Sequence, residues 1–235
     1  MARAPTKLLS KFSLDGSFVF KGLDPTLLER LASVATLRSL RPGEYLFHAG
    51  DPSNGFYGVL DGLLKVGVTA EDGHARLIAI LGPGDIVGEM GVVDGHPRSA
   101  DVIALRASEL AFIRLSDFEA IAEANPRIYR HILRAVSVRL RRTNEAGSAR
   151  SLLPLEGRLA RALLGLSERF GNDLPDGRTL IRYKITQTDI GNMCGAAREN
   201  VNRQFANWKR DDLLSKISGY YCLHNKEEFN RMADF

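Results

Sequence analysis

Between about residues 40 and 115 the chain offers only short apolar or alternating runs, each cut off by a glycine turn. The runs read E-Y-L-F, F-Y-G-V-L, L-L-K-V-G-V, R-L-I-A-I-L, D-I-V-G-E-M, A-D-V-I-A-L and E-L-A-F-I-R-L. The breaks include Gly50-Asp51-Pro52, Asp61-Gly62, Gly82-Pro83-Gly84-Asp85 and Asp94-Gly95. Many short strands with regular turns predict an antiparallel barrel or sandwich. Such a fold can hold a ligand in its mouth. The flanking segments change period. Residues 24–38 carry apolar positions at helical spacing, with Asp24 as N-cap and Pro25 in the first turn. Residues 116–146 are also helical, with Ser116 capping a first short helix. After Asn125-Pro126 a second helix places Ile128, Ile132, Val136 and Leu140 four apart with Leu133 beside them, among many arginines. That stripe packs either on its own barrel or on a second copy of itself, and its narrowness on a long arginine-rich helix favours the dimer seam.

Inside the strand-rich region, Gly88 to Ala100 reads G-E-M-G-V-V-D-G-H-P-R-S-A. Arg98 offers a fixed cationic fork for a phosphate, and Ser99 adds a hydroxyl donor. Glu89 can accept from a ribose 2′-hydroxyl, and Gly88 lets the backbone approach closely. Two readings are open on these residues alone: a pocket for a ligand with both phosphate and sugar, or a turn with a surface ion pair between Glu89 and Arg98.

Beyond the arginine-rich helix, residues 147–154 (G-S-A-R-S-L-L-P) read as a hinge. A helix follows and stops at Gly171. Thr186-Gln187-Thr188-Asp189 opens a short helix with a capping box, Gly195-Ala196-Ala197 makes a tight turn, and R-E-N-V-N-R-Q-F-A-N-W-K-R forms a second helix. Two short helices about a glycine turn make a helix-turn-helix. The second exposes Arg198, Glu199, Asn202 and Arg203 and buries Val201, Phe205 and Trp208. Ile217 to Leu223 reads as a hairpin, the wing, and a short helix ends the chain. The expected organisation is therefore α+β. A β-roll or jelly-roll domain with its dimerisation helix (about 126–146) covers 1–146, a hinge covers 147–154, and a winged helix-turn-helix covers 155–235.

Composition limits the alternatives. The formal charge is +4 and most of it falls after residue 145, which suits nucleic acid. The two cysteines, Cys194 and Cys222, have no CxxC partner, so neither a disulfide framework nor a zinc site is expected, in keeping with a reducing cytoplasm. No run approaches the length of a membrane span, and the N-terminus lacks the apolar core of a signal peptide. His48, His74, His96, His131 and His224 show no metal-ligand spacing. No nucleophile–base pair or kinase motif stands out, which argues against an enzyme.

A G-E-[LM]…R-S-A cassette, a seam helix and an R-E-x-V-x-R helix-turn-helix, in this order, resemble the cyclic AMP receptor protein (CRP/FNR) family of bacterial regulators, over about residues 15–224. The resemblance implies a homodimeric, cyclic-nucleotide-gated transcription factor that binds double-stranded DNA and engages RNA polymerase, with no resident cofactor. In this cassette Gly88, Glu89, Met90, Arg98, Ser99 and Ala100 match the sugar- and phosphate-binding residues. Thr143 and Asn144 match the positions that meet the purine from the subunit and its partner, and Arg139 matches a position that can couple helix to pocket. Thr186 and Gln187 match phosphate-backbone contacts, and Arg198, Glu199 and Arg203 match base-reading positions. Three departures stand out. Asn144 replaces serine, and its amide suits adenine or guanine, so cyclic AMP is expected with cyclic GMP as the alternative. Ala197 replaces a serine or threonine. Asn200 and Asn202 are more polar than usual. The absence of cysteine from the first 190 residues argues against an iron–sulfur sensor of the same superfamily, and the lone His74 against a haem sensor.

Overall fold

A computed structural model describes residues 23–69 and 75–234. The N-terminal stretch and His74, read above from sequence, lie outside them. The chain divides into two compact units, Met1–Arg141 and Arg142–Phe235.

In the first unit, α1 (Pro25–Val34) begins as expected, with Pro25 in its first turn and the Asp24 carboxylate accepting from the Thr26 amide at 2.9 Å. It ends earlier than the apolar spacing suggested. The β-branched and extended residues from Thr36 onward are taken up by β1 (Thr36–Leu40), which pairs with β8. The strands then follow as β2 (Tyr45–Phe47), β3 (Gly55–Asp61), β4 (Leu64–Thr69), β5 (Ala75–Leu81), β6 (Ile86–Val87), β7 (Asp101–Ala104) and β8 (Ser108–Arg114), with α2 (Met90–Asp94) between β6 and β7. They form two four-stranded antiparallel sheets, ordered β1-β8-β3-β6 and β2-β7-β4-β5. The expected jelly-roll architecture is the one observed. β3 shows why the pattern works. Alternate residues point to opposite faces, so Tyr57 and Val59 join Leu64, Val66, Val102 and Leu110 in one core. Phe56 and Leu60 join the helical core with Leu31, Phe118, Ile128 and Ile132.

α3 (Leu115–Ala124) follows β8 directly. Ser116 lies inside it and does not cap it; Arg114 is the N-cap and provides no side-chain bond. A 3-10 turn (Pro126–Ile128) leads into α4 (Tyr129–Leu152). The apolar stripe of this helix is really two stripes. Ile128, Ile132 and Ala135 are buried in the unit's own core, with Val136 packed at its edge. Leu133 and Leu140 stay 54% and 59% exposed, with Tyr129 also exposed. Ile128 and Ile132 therefore leave the expected seam. What remains exposed is Tyr129, Leu133 and Leu140, which with the half-buried Val136 are spaced four, three and four apart as in a coiled-coil seam. α4 also runs into the expected hinge, 147–154, and ends at Leu152. Gly147 and Ser148 lie within it, and regular helix breaks only at Leu153–Pro154. One interior glycine costs a helix about 1 kcal/mol, too little to end a 24-residue element.

In the second unit, α5 (Leu155–Phe170) packs against α8 (Lys226–Ala233). β9 (Gly171–Asp173) and β10 (Thr179–Ile181) extend the wing strands β11 (Leu214–Ile217) and β12 (Tyr220–Leu223) into one sheet, ordered β11-β12-β10-β9. The hairpin thus starts three residues before the sequence suggested, and β9 was not anticipated. Between β10 and β11 lie α6 (Gln187–Cys194) and α7 (Arg198–Arg210).

Candidate functional site

The cassette is a strand, a turn and a short helix. β6 ends at Val87, and Gly88 turns the chain at φ +80°, a left-handed conformation that favours glycine. A Cβ there would also collide with the Arg98 guanidinium. α2 then carries Met90, and the chain returns through Arg98, Ser99 and the buried Ala100 into β7.

Arg98 is only 6% exposed. Its Nη1 donates to the Gly88 carbonyl at 2.7 Å, and its guanidinium lies 4.4 Å from the Phe47 ring centre and 6.0 Å from that of Tyr57. Its backbone is pinned both ways, the amide donating to Asp51 O at 2.9 Å and the carbonyl accepting from Gly50 N at 2.8 Å. Burial holds its pKa below the ordinary guanidinium value, with Tyr57, Glu89 and Asp51 acting in the opposite direction. Phe47 and Tyr57 were read from sequence only as strand residues; nothing in their spacing distinguishes a guanidinium platform from a core.

Glu89 is 0% exposed. Its partner is Arg139 on α4, whose Nη1 donates to Glu89 Oε1 at 2.5 Å and whose Nη2 donates to Ile86 O at 2.6 Å. The alternative of a surface ion pair between Glu89 and Arg98 is thereby excluded: both side chains are buried, and Glu89 is paired elsewhere. Two buried polar atoms here have no hydrogen-bond partner among the described residues, Glu89 Oε2 and Arg98 Nε. Such groups are costly unless something else meets them. Ser99 is exposed, its hydroxyl donating to the exposed Met90 sulfur at 3.6 Å. Thr143 and Asn144 stand exposed on α4, about one turn beyond Arg139.

In the second unit the helix-turn-helix forms as its caps dictate. The Thr186 hydroxyl accepts from the Asp189 amide at 3.0 Å and donates to the Asp189 carboxylate at 2.6 Å. The shorter aspartate thus bonds the cap hydroxyl, whereas the glutamate of a full capping box reaches the cap amide. Gly195 ends α6 in the left-handed region at φ +65°. Val201, Phe205 and Trp208 are buried, whereas Arg198, Glu199, Asn202 and Arg203 are exposed along the first two turns of α7. Two of the residues noted for their polarity make contacts within the motif. Asn200 Oδ1 accepts from Arg203 Nη2 at 3.0 Å, and Gln187 Nε2 donates to Asn202 Oδ1 at 3.4 Å. Among the described residues no group of three His, Cys, Asp or Glu could hold a metal, and no helix is long and apolar enough to cross a membrane.

A double-sheet domain whose turn buries Glu89 and Arg98, followed by a winged helix-turn-helix, is the architecture of a DNA-binding regulator. The cyclic nucleotide-binding domain family matches residues 37–125, and the Crp-like helix-turn-helix domain family matches residues 157–232. A cAMP-activated global transcriptional regulator, CRP, from Pasteurella multocida is 33% identical over 183 residues, spanning 77% of this chain and 86% of that protein. A CRP-like cAMP-activated global transcriptional regulator from Mycobacterium tuberculosis is 29% identical over 215 residues, spanning 92% and 96%. The structure of FixK2 from Bradyrhizobium japonicum shares the fold, with a TM-score of 0.77 at 20% identity, over 86% of this chain and 98% of that one. The chain belongs to the CRP/FNR family of transcriptional regulators: it is a cyclic-nucleotide-binding, DNA-binding regulator and not an enzyme.

Proposed function

We propose that the effector is cyclic AMP, and that it switches a cytoplasmic homodimer onto a palindromic DNA site from which RNA polymerase is engaged. The observation that carries the effector site is the pair of unpartnered buried atoms, Arg98 Nε and Glu89 Oε2, set around the Gly88 turn. A cyclic phosphate takes the guanidinium of Arg98 and the hydroxyl of Ser99, and a ribose hydroxyl donates to the free oxygen of Glu89. Gly88, Met90 and Ala100 shape the cassette around them. Arg139 ties Glu89 to α4, the helix on which Thr143 and Asn144 meet the purine. The exposed residues Leu133 and Leu140 pair the α4 helices of two subunits. Cyclic GMP is a second reading, favoured by the amide of Asn144, which can donate or accept.

At the DNA, Arg198 and Arg203 suit guanine edges and Glu199 suits a cytosine amine, with Asn202 beside them. Thr186 and Gln187 position the motif on the phosphate backbone. A dimer places two such helices in major grooves ~34 Å apart. Nucleotide shifts the equilibrium only through differential affinity for two states.

The test is a DNA-binding titration on a degenerate site library with cyclic AMP, with cyclic GMP and without ligand, alongside calorimetry of Arg98→Leu. Cyclic AMP is expected to select a palindrome, and Arg98→Leu to lose nucleotide binding. Unchanged nucleotide affinity in Arg98→Leu refutes the phosphate assignment, and site selection independent of ligand refutes the gating.

A further inference from the structure

We propose that Glu156 is a positioning residue for α7, setting the rotation of that helix about its own axis and hence the aim of its DNA-facing side chains. Glu156 lies in the first turn of α5, where the helix N-terminus favours a negative charge. Its Oε1 accepts two hydrogen bonds from α7, from Gln204 Nε2 at 2.9 Å and from Trp208 Nε1 at 3.2 Å. These donors are four residues apart and so share one face of the helix. At ~100° per residue, that face lies roughly 190° from the mean direction of Arg198, Glu199, Asn202 and Arg203. Glu156 thus grips the back of the helix whose front is turned to DNA. This rests on the assignment of that front as the base-reading face.

The other contacts behind α7 are largely apolar: Val201 and Phe205 are buried, Phe205 meets the Tyr221 ring at 5.3 Å, and Trp208 meets the Phe229 ring at 4.9 Å. Apolar burial is non-directional, so it holds the helix down without fixing its roll. Two hydrogen bonds from successive turns converging on one oxygen are directional and do fix it. The roll matters because 10° carries the helix surface through ~1 Å, past the ~0.5 Å within which a recognition site must be held. The acceptor is itself well anchored. Gly157 lies so close to α8 that a Cβ there would sit 2.5 Å from Met232 O. The Leu153–Pro154 break lies immediately before α5. Glu156 therefore also passes any change in the direction of α5 to α7.

The chain contains one tryptophan, Trp208, so its indole N–H gives a single resonance that reports the Glu156 bond. Three proteins are compared with saturating cyclic AMP: wild type, Glu156→Ala and Glu156→Gln, the last keeping a carbonyl acceptor. Binding is measured to a duplex selected from the degenerate library and to a non-specific duplex. Glu156→Ala is expected to shift the indole resonance and to weaken the selected site about tenfold. Binding to non-specific DNA, dominated by phosphate charge, is expected to stay within about twofold. Glu156→Gln is expected to restore both the resonance and the specificity ratio. An unchanged ratio in Glu156→Ala, or a Glu156→Gln variant as impaired as Glu156→Ala, overturns the proposal. Should Glu156→Ala fail to fold, Trp208→Phe keeps a ring and removes the N–H, and the same ratio is expected to fall about threefold; no fall overturns the proposal. Arg198→Ala tests the face itself: if it leaves the selected site bound as before, the base-reading assignment has failed rather than the role of Glu156.

Discussion

Replacing Arg139 with methionine removes both anchors that this side chain provides, the bonds to Glu89 Oε1 and to Ile86 O. The two ends of the pair are not equivalent. Glu89 is 0% exposed on its side-chain atoms, whereas Arg139 is 24% exposed. Without Arg139 the buried carboxylate loses its counter-charge; without the carboxylate, Arg139 still reaches water. Breaking a buried pair from the side that strands a charge costs about 3 kcal/mol or more, which in a chain of this size lowers Tm by ~6–12 °C. Glu89→Gln, which removes the charge and keeps an acceptor, is expected to cost about 1 kcal/mol. The double variant is then expected to be more stable than Arg139→Met alone, because the amide no longer needs a counter-charge. Urea unfolding of the four proteins at constant pH gives the coupling energy directly. If Glu89→Gln fails to rescue Arg139→Met, or if the two costs simply add, the pair is not a buried electrostatic unit and the argument for it fails.

Introducing Asp at Leu133 and Leu140, both exposed on α4, is expected to convert the proposed dimer to a monomer by sedimentation while leaving the fold intact. At the wing tip Ser218 has φ +51° and precedes Gly219 at φ +93°, the pattern of a turn that prefers Asn-Gly. Ser218→Asn should therefore stabilise the protein by about 0.5 kcal/mol in thermal unfolding; a loss would show the turn to be set by something other than its dihedrals. Cys194 is buried, and burial pushes its thiol up to about 12. At pH 8 it is expected to react with an aromatic disulfide only at the rate of unfolding, so fast labelling in native buffer refutes its burial.

Much of the architecture follows from local signals. Period-two strands between glycine turns, the Asp24 and Thr186 caps and the glycine at position 195 each act through their immediate neighbours, so a single sequence exposes them. α2 escaped because G-E-M-G-V-V-D mixes glycines with β-branched residues and is only five residues long; its helix is held by the surrounding chain, not by propensity. Ile128 and Ile132 were legible as apolar, but which neighbour covers them depends on how α1, α3 and the sheet come together. The same limit applies to the cassette. Its residue types suit a ligand with phosphate and sugar, yet the ring platform under Arg98 comes from β2 and β3 and the partner of Glu89 from α4. Contacts 41 to 51 residues apart leave no spacing to read.

The arrangement of buried charge in the first unit carries a consequence for which phosphates the protein can tell apart. Glu89 and Arg98 are the buried carboxylate and guanidinium of that unit among the described residues. Glu89 is neutralised by Arg139, and among the described residues Arg98 has no carboxylate at ion-pairing distance. With phosphate seated on Arg98, as proposed, one positive charge awaits one negative charge. A cyclic phosphodiester carries that single charge. A ring-opened monoester carries nearly two, as phosphorylated side chains do, and would bring its excess beside a buried carboxylate, where the low dielectric magnifies the repulsion. Hydrolysis of the ring, which frees one ribose hydroxyl and gives the phosphate its second charge, would then silence the signal through valence with the base unchanged.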